Sequence, residues 1–166
     1  MDISVKTDGY TLRETMATEE PAVQSEEPGR KDLVRHLVLC MEQEGFTIEA
    51  AGVPGYPKPP QVKRFGLRPG RFRPDVVARD GRRTVFGIAK AGEEIGEAYV
   101  PEQLESFAQI SRLLVICLPE AAADGAIETL FLKEHLPHWR KMRLLRYPAE
   151  KWQEVPKAAG RKAMPG

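Results

Sequence analysis

Residues 71–90 read RFRPDVVARDGRRTVFGIAK, and the fold class turns on them. Two runs rich in β-formers, Arg73–Arg79 and Arg83–Lys90, flank Asp80-Gly81. That dipeptide is a favoured two-residue hairpin loop, because both turn positions require positive φ. With the loop there, Arg79 pairs with Arg82, Val77 with Thr84 and Asp75 with Phe86. Strand side chains alternate and directly opposed residues share a face. Asp75, Phe86, Ile88 and Lys90 are therefore expected on one side of the hairpin.

Upstream, Leu33, Leu37, Cys40 and Met41 recur at helical spacing, and Val34 and Val38 widen the stripe. This predicts a substantially buried helix over Arg30–Glu44, stopped by Gly45. Phe46–Ala51 reads as a short strand. Residues 51–71, AGVPGYPKPPQVKRFGLRPGR, are too rich in Pro and Gly for regular structure and read as a long functional loop. Downstream, Pro101 suits the first turn of a helix reaching about Ser111, with Leu104, Phe107 and Ala108 as its apolar stripe. Arg112–Leu118 is apolar almost throughout, as expected of a strand covered on both faces. Ala122–Glu134 reads as a helix weakened by Gly125, with Ile127, Leu130 and Phe131 inward. Lys141–Tyr147 reads as a last strand. The order is helix, three strands, helix, strand, then a further helix and strand. A meander followed by crossover helices predicts a three-layer α/β domain with a mixed central sheet flanked by helices.

The chain has 166 residues, 42% of them hydrophobic and 30% charged, which suits one domain with a real core. No apolar run approaches the ~20 residues of a membrane span, and the opening residues are acidic where a signal peptide would be basic and then apolar. Cys40 and Cys117 lie in apolar stretches and read as buried reduced thiols, so a cytoplasmic protein without membrane contact is expected. The net charge of +1 conceals an asymmetry. Residues 1–28 hold seven acids against Lys6 and Arg13, a charge of −5 that leaves +6 for the rest. Such a segment reads as a disordered acidic tail. Residues 29–147 form the expected domain, and 148–166, thin in apolar residues, a flexible C-terminal tail.

An acid and a lysine on neighbouring strands, aimed the same way beside a basic loop, suit metal-assisted phosphodiester cleavage. The carboxylate helps hold Mg²⁺, which activates water, and the lysine stabilises developing charge. Lys58, Lys63, Arg64, Arg68, Arg71, Arg73, Arg79, Arg82 and Arg83 crowd this part of the chain, with Tyr56 and Phe65 interleaved. Cations and rings so mixed suit a phosphate backbone, and Arg64, Arg68, Arg71 and Arg73 are the candidate contacts. A solvated loop, or a dock for the acidic tail, is the competing explanation. Other chemistries lack their residues. Leu and Pro between His135 and His138 break a helical metal pair, His36 reads as a packed or surface residue, and two distant cysteines make no zinc spacing. No Gly-rich phosphate loop or G-x-S-x-G turn occurs.

Pro74-Asp75, a hairpin, then Phe86-Gly87-Ile88-Ala89-Lys90 resembles the signature of the PD-(D/E)XK nucleases, the restriction endonuclease-like and Holliday junction resolvase-like group. The resemblance spans residues 30–118 in order of elements, although the motif itself is short. It implies the restriction endonuclease-like core, order αβββαβ, here with an added helix and strand. It also implies Asp75, Lys90 and Gln103 as catalytic residues, Mg²⁺ as cofactor, and nucleic acid, DNA rather than RNA, as partner. A homodimer is compatible with it. One departure matters. The family carries an acid two residues before the lysine, and here Ile88 stands there. Some members move that acid onto the following helix, which makes Glu102 the candidate second metal ligand beside Asp75; Glu93, Glu94 and Glu105 lie nearby. With Ile88 in place, weak or lost catalysis is expected. A non-catalytic protein-interaction module on the same fold is the alternative.

Overall fold

The computed structural model describes residues 28–64, 69–132 and 136–156. Its first element, α1 (Arg30–Gln43), buries Leu33, Val34, Leu37, Val38, Cys40 and Met41. At its start the Gly29 N–H donates to the Asp32 carboxylate (3.3 Å), an acid placed favourably against the helix dipole. It stops at Gly45, whose φ of +95° suits a residue without a Cβ.

The strands are β1 (Thr47–Ala51), β2 (Val62–Lys63), β3 (Arg71–Phe72), β4 (Val76–Asp80), β5 (Arg83–Ala89), β6 (Leu113–Pro119), β7 (Met142–Tyr147) and β8 (Gln153–Glu154). Six of them form one mixed sheet in the order β1-β4-β5-β6-β7-β8. The β1/β4, β4/β5 and β7/β8 pairs are antiparallel; β5/β6 and β6/β7 are parallel. Helix α2 (Val100–Ala108) joins β5 to β6, and α3 (Glu120–Ala126) with its continuation joins β6 to β7.

Alternation divides the core into two layers. Phe86, Ile88, Leu114, Ile116, Met142 and Leu144 pack with Leu104 and Phe107 of α2 and with Leu130 and Phe131 beyond α3. Val76, Ala78, Val85, Ala89, Val115, Cys117 and Leu145 pack against α1. Burying each such aliphatic side chain is worth about 1.5–3 kcal/mol, and this drives the three-layer arrangement. Strand β6 is buried at every position, as its apolar run predicts.

Four features differ from the sequence reading. The β4–β5 pairing runs to Asp80↔Arg83, so the turn is Gly81-Arg82, with Gly81 at φ +66°. Pairs slide by one residue on each strand, which preserves the faces: Val77 now opposes Phe86. The loop of residues 51–71 contains a two-stranded sheet, Val62↔Phe72 and Lys63↔Arg71, too short to leave a periodic signal. The helix after β6 begins at Glu120 and widens to a π-helix over Ile127–Leu132. Thr129 Oγ1 donates to the Gly125 carbonyl (2.9 Å) there, a side-chain bond that competes with the regular ladder. Finally, the fold continues past Tyr147. β8 adds an edge, Val155 is buried, and Trp152 stacks on Phe46 at 5.8 Å, so two apolar residues anchor a stretch that composition alone marks as tail. Residues 1–27 and 157–166 lie outside the described part.

Candidate functional site

Asp75 immediately precedes β4 and Lys90 immediately follows β5, so the hairpin brings both to the same end of the sheet. The Asp75 N–H donates to the Gly87 carbonyl (3.0 Å), and its Oδ2 accepts from the Ala89 N–H (2.8 Å). By strand alternation Asp75 shares the face of Val77. At the sheet end two backbone hydrogen bonds thus hold Asp75.

A residue from the opposite layer then enters. Arg30, the first residue of α1, places Nη2 3.0 Å from both Asp75 oxygens and Nη1 2.9 Å from Glu94 Oε2. Glu94 belongs to the 3-10 turn Gly92–Glu94 after β5, and its other oxygen accepts from the Ala91 N–H (2.7 Å). Burial pulls the Arg30 pKa down, but the carboxylates of Asp75 and Glu94 outweigh it and the net shift is upward. Two carboxylates are thus bridged by one fixed cation through charge-assisted bonds.

Lys90 is the second cation of the cluster and is only 1% exposed. Its Nζ lies 5.0 Å from the Tyr99 ring centroid, over the ring face. Among the described residues this ammonium makes no hydrogen bond. Burial, then the Arg30 charge, lower its pKa, with Glu94, Asp75 and Glu97 opposing. Arg30 and Lys90 balance Asp75 and Glu94, so the cluster is neutral.

Glu102 stands apart from this cluster. Its two oxygens take Arg64 Nη2 (2.7 Å) and Nε (3.0 Å), in the bidentate fork arginine favours. Arg64 also lies over the Phe72 ring, 4.9 Å from its centroid. Among the described residues no group of three or more His, Cys, Asp or Glu side chains is arranged for a metal ion. A hard divalent cation needs several oxygens. Here Asp75 is engaged by Arg30 and a backbone amide, position 88 offers a fully buried isoleucine, and Glu102 is committed elsewhere. This donor set does not fit Mg²⁺. Gln103 is buried on α2, and its Oε1 has no hydrogen-bond partner among the described residues.

The remaining candidates separate. Arg73 donates to the Pro59 carbonyl, whereas Arg71, with Lys58 and Lys63, is exposed. Arg68 lies outside the described residues. Arg79 pairs with Glu49 (3.3 Å), and Arg82 and Arg83 sit at the hairpin tip, the far end of the sheet from Asp75. The stacked rings of Phe72 and Tyr99, 6.3 Å apart, link the β2–β3 hairpin to the site, because Tyr99 also covers Lys90. Of the other acids and histidines, Glu105 accepts from the His138 backbone N–H (3.1 Å), and His36 Nε2 meets the Ala149 carbonyl at 2.6 Å.

Arg30 and Tyr99 carry no local signal of these roles. Glu94 was visible only as an acid near the lysine. No protein-family model, curated protein or solved structure matches this chain.

Proposed function

We propose that this chain is a nuclease-fold protein that has exchanged its catalytic metal for a cation of its own chain, Arg30, and engages nucleic acid without cutting it. One observation carries the reading: the Arg30 guanidinium bridges Asp75 and Glu94 at the sheet end where the family resemblance calls for Mg²⁺. The element order α1, β1, β4, β5, α2, β6 and its mixed sheet support the restriction endonuclease-like fold. Lys90 at the same sheet end supports descent from a metal-dependent phosphodiesterase. For nucleic acid, the support is the exposed basic side chains Lys58, Lys63 and Arg71 on and beside the β2–β3 hairpin. A protein-docking module would instead favour a contiguous apolar patch. The large exposed apolar residues among those described are Leu39 on α1, Tyr99 before α2 and Ile110 beyond it.

The test has two arms. Calorimetric titration of Mn²⁺ is expected to give no binding heat with the natural protein or with Ile88→Glu, because Arg30 still occupies Asp75. The double variant Arg30→Ala, Ile88→Glu frees Asp75 and adds the second carboxylate, so it is expected to bind Mn²⁺. Position 88 is fully buried, so an unpaired charge there costs several kcal/mol, and circular dichroism must first establish that each variant folds. In the second arm, a labelled DNA duplex is expected to bind with log K falling against log[salt] at a slope of roughly −3, about three neutralised phosphates. Plasmid nicking by the natural protein with Mg²⁺, lost in Asp75→Ala, would overturn the non-catalytic reading. Salt-independent binding would overturn the nucleic-acid reading.

A further inference from the structure

We infer that the basic face of the β2–β3 hairpin is covered, when nucleic acid is absent, by the acidic segment of residues 1–27 of the same chain. This deepens the nucleic-acid reading and rests on it. The hairpin register sets Lys63 directly opposite Arg71. Opposed residues have Cβ atoms ~4.5–5.5 Å apart, and like charges so placed destabilise the pair. Val62 and Phe72, the other opposed pair, face the core, so Lys63 and Arg71 form the solvent side. Neither has an ion-pair partner among the described residues, and neither has the exposed Lys58. The contrast with other arginines is informative. Arg30, Arg64, Arg79, Arg112 and Arg146 each hold a carboxylate. On this hairpin two cations are set side by side without one, an arrangement that an anion relieves.

The acidic segment joins the fold at the end of the sheet where Asp75 follows Arg71 by four residues. It enters α1 through Gly29, and Arg30 lies in the site with Asp75 and Glu94. From that site Lys90 leads to the Tyr99 ring at 5.0 Å and Tyr99 to Phe72 at 6.3 Å, and Phe72 adjoins Arg71. Arg82 and Arg83, also exposed, lie at the other end of β4, about 17 Å away at the usual rise per residue. An extended chain covers up to ~3.3–3.6 Å per residue. Nine residues from Glu20 to Gly29 cover up to ~30 Å, and the four from Arg71 to Asp75 at most ~14 Å, so the segment has chain length enough for its acids to meet the hairpin. Seven acids against two bases supply the complementary charge. A tether of this length gives an effective concentration in the mM range, enough to populate a contact too weak to hold between separate molecules. The segment then competes with phosphates for Lys63 and Arg71, and lowers the apparent nucleic-acid affinity by the fraction of hairpin it occupies.

The test compares the full natural chain with a full-length variant carrying Glu14→Gln, Glu19→Gln, Glu20→Gln, Glu26→Gln and Glu27→Gln. A fluorescein-labelled DNA duplex is titrated at low and high salt, and the acetylation rate of Lys63 is followed by mass spectrometry without DNA. The neutralised variant is expected to bind the duplex roughly 5–10-fold more tightly at low salt, with the difference fading at high salt. Lys63 is expected to acetylate faster in that variant. Adding Lys63→Gln and Arg71→Gln to the neutralised variant should erase the gain in affinity. If the gain survives those two changes, the acids act through overall charge and the hairpin contact is wrong. Equal Lys63 acetylation in the two chains also overturns the inference. If neither chain binds the duplex, the nucleic-acid reading fails, while the acetylation comparison still decides whether the segment covers the hairpin.

Discussion

Lys90 raises the sharpest question at the scale of single residues, because a nearly fully buried ammonium (1% exposed) with a ring for its partner costs the fold free energy. Its lowered pKa, from burial and then from Arg30, expresses that cost. The sign follows from proton linkage. Below the folded pKa both folded and unfolded chains carry the proton, and the folded state bears the penalty in full. As pH rises through the folded pKa toward the unfolded value near ~10.4, only the folded chain releases the proton, and stability increases. Lys90→Met removes this behaviour. The variant is expected to be more stable than the natural protein at neutral pH by on the order of 1 kcal/mol, a rise in Tm of about 2–4 °C. The gap should narrow as pH approaches the unfolded value. Urea unfolding of both proteins across this range checks it, since other titrating groups cancel in the difference. A gap independent of pH would mean that folding leaves the Lys90 pKa where it stands in the unfolded chain.

At the scale of elements, the close seating of α1 on the sheet depends on Gly87. A Cβ at that position would lie 2.8 Å from Leu37 Cδ2 and 3.2 Å from Met41 Sδ. Leu37 and Met41 are fully buried and have nowhere to retreat, so Gly87→Ala is expected to destabilise by about 1–3 kcal/mol. Pairing it with Leu37→Ala, which opens space at the clash, should cost less than the two single changes summed, by more than ~0.5 kcal/mol. Strict additivity in urea unfolding would show that the clash is relieved elsewhere. Gly125 makes the contrast. It lies in α3, where an added Cβ would meet nothing within 4 Å, so Gly125→Ala should stabilise by about 0.5–1 kcal/mol through helix propensity.

For the whole molecule, the two thiols report on global opening. Burial pushes Cys40 up to about 11 and Cys117 up to about 12, so neither supplies thiolate at neutral pH. A disulfide reagent is expected to titrate no cysteine in the native protein and two after denaturation. Rapid labelling of Cys117 under native conditions would contradict a sheet covered on both faces. What the sequence determined by itself is local in origin. Periodic apolar positions marked α1 and α2, an unbroken apolar run marked β6, Asp80-Gly81 marked the hairpin, and strand alternation set Asp75 and Ile88 on one face even though the turn lies one residue further on. Composition alone separated the acidic segment from the basic core. Two-residue strands such as β2, β3 and β8 carry no period, so only packing against aromatic and aliphatic neighbours defines them. The site itself was decided by tertiary structure. Arg30 meets Asp75 across 45 positions of chain and Glu94 across 64, and no local pattern encodes so distant a meeting. α1 closes over the sheet to bury its apolar stripe, and that closure delivers the Arg30 guanidinium to the two carboxylates.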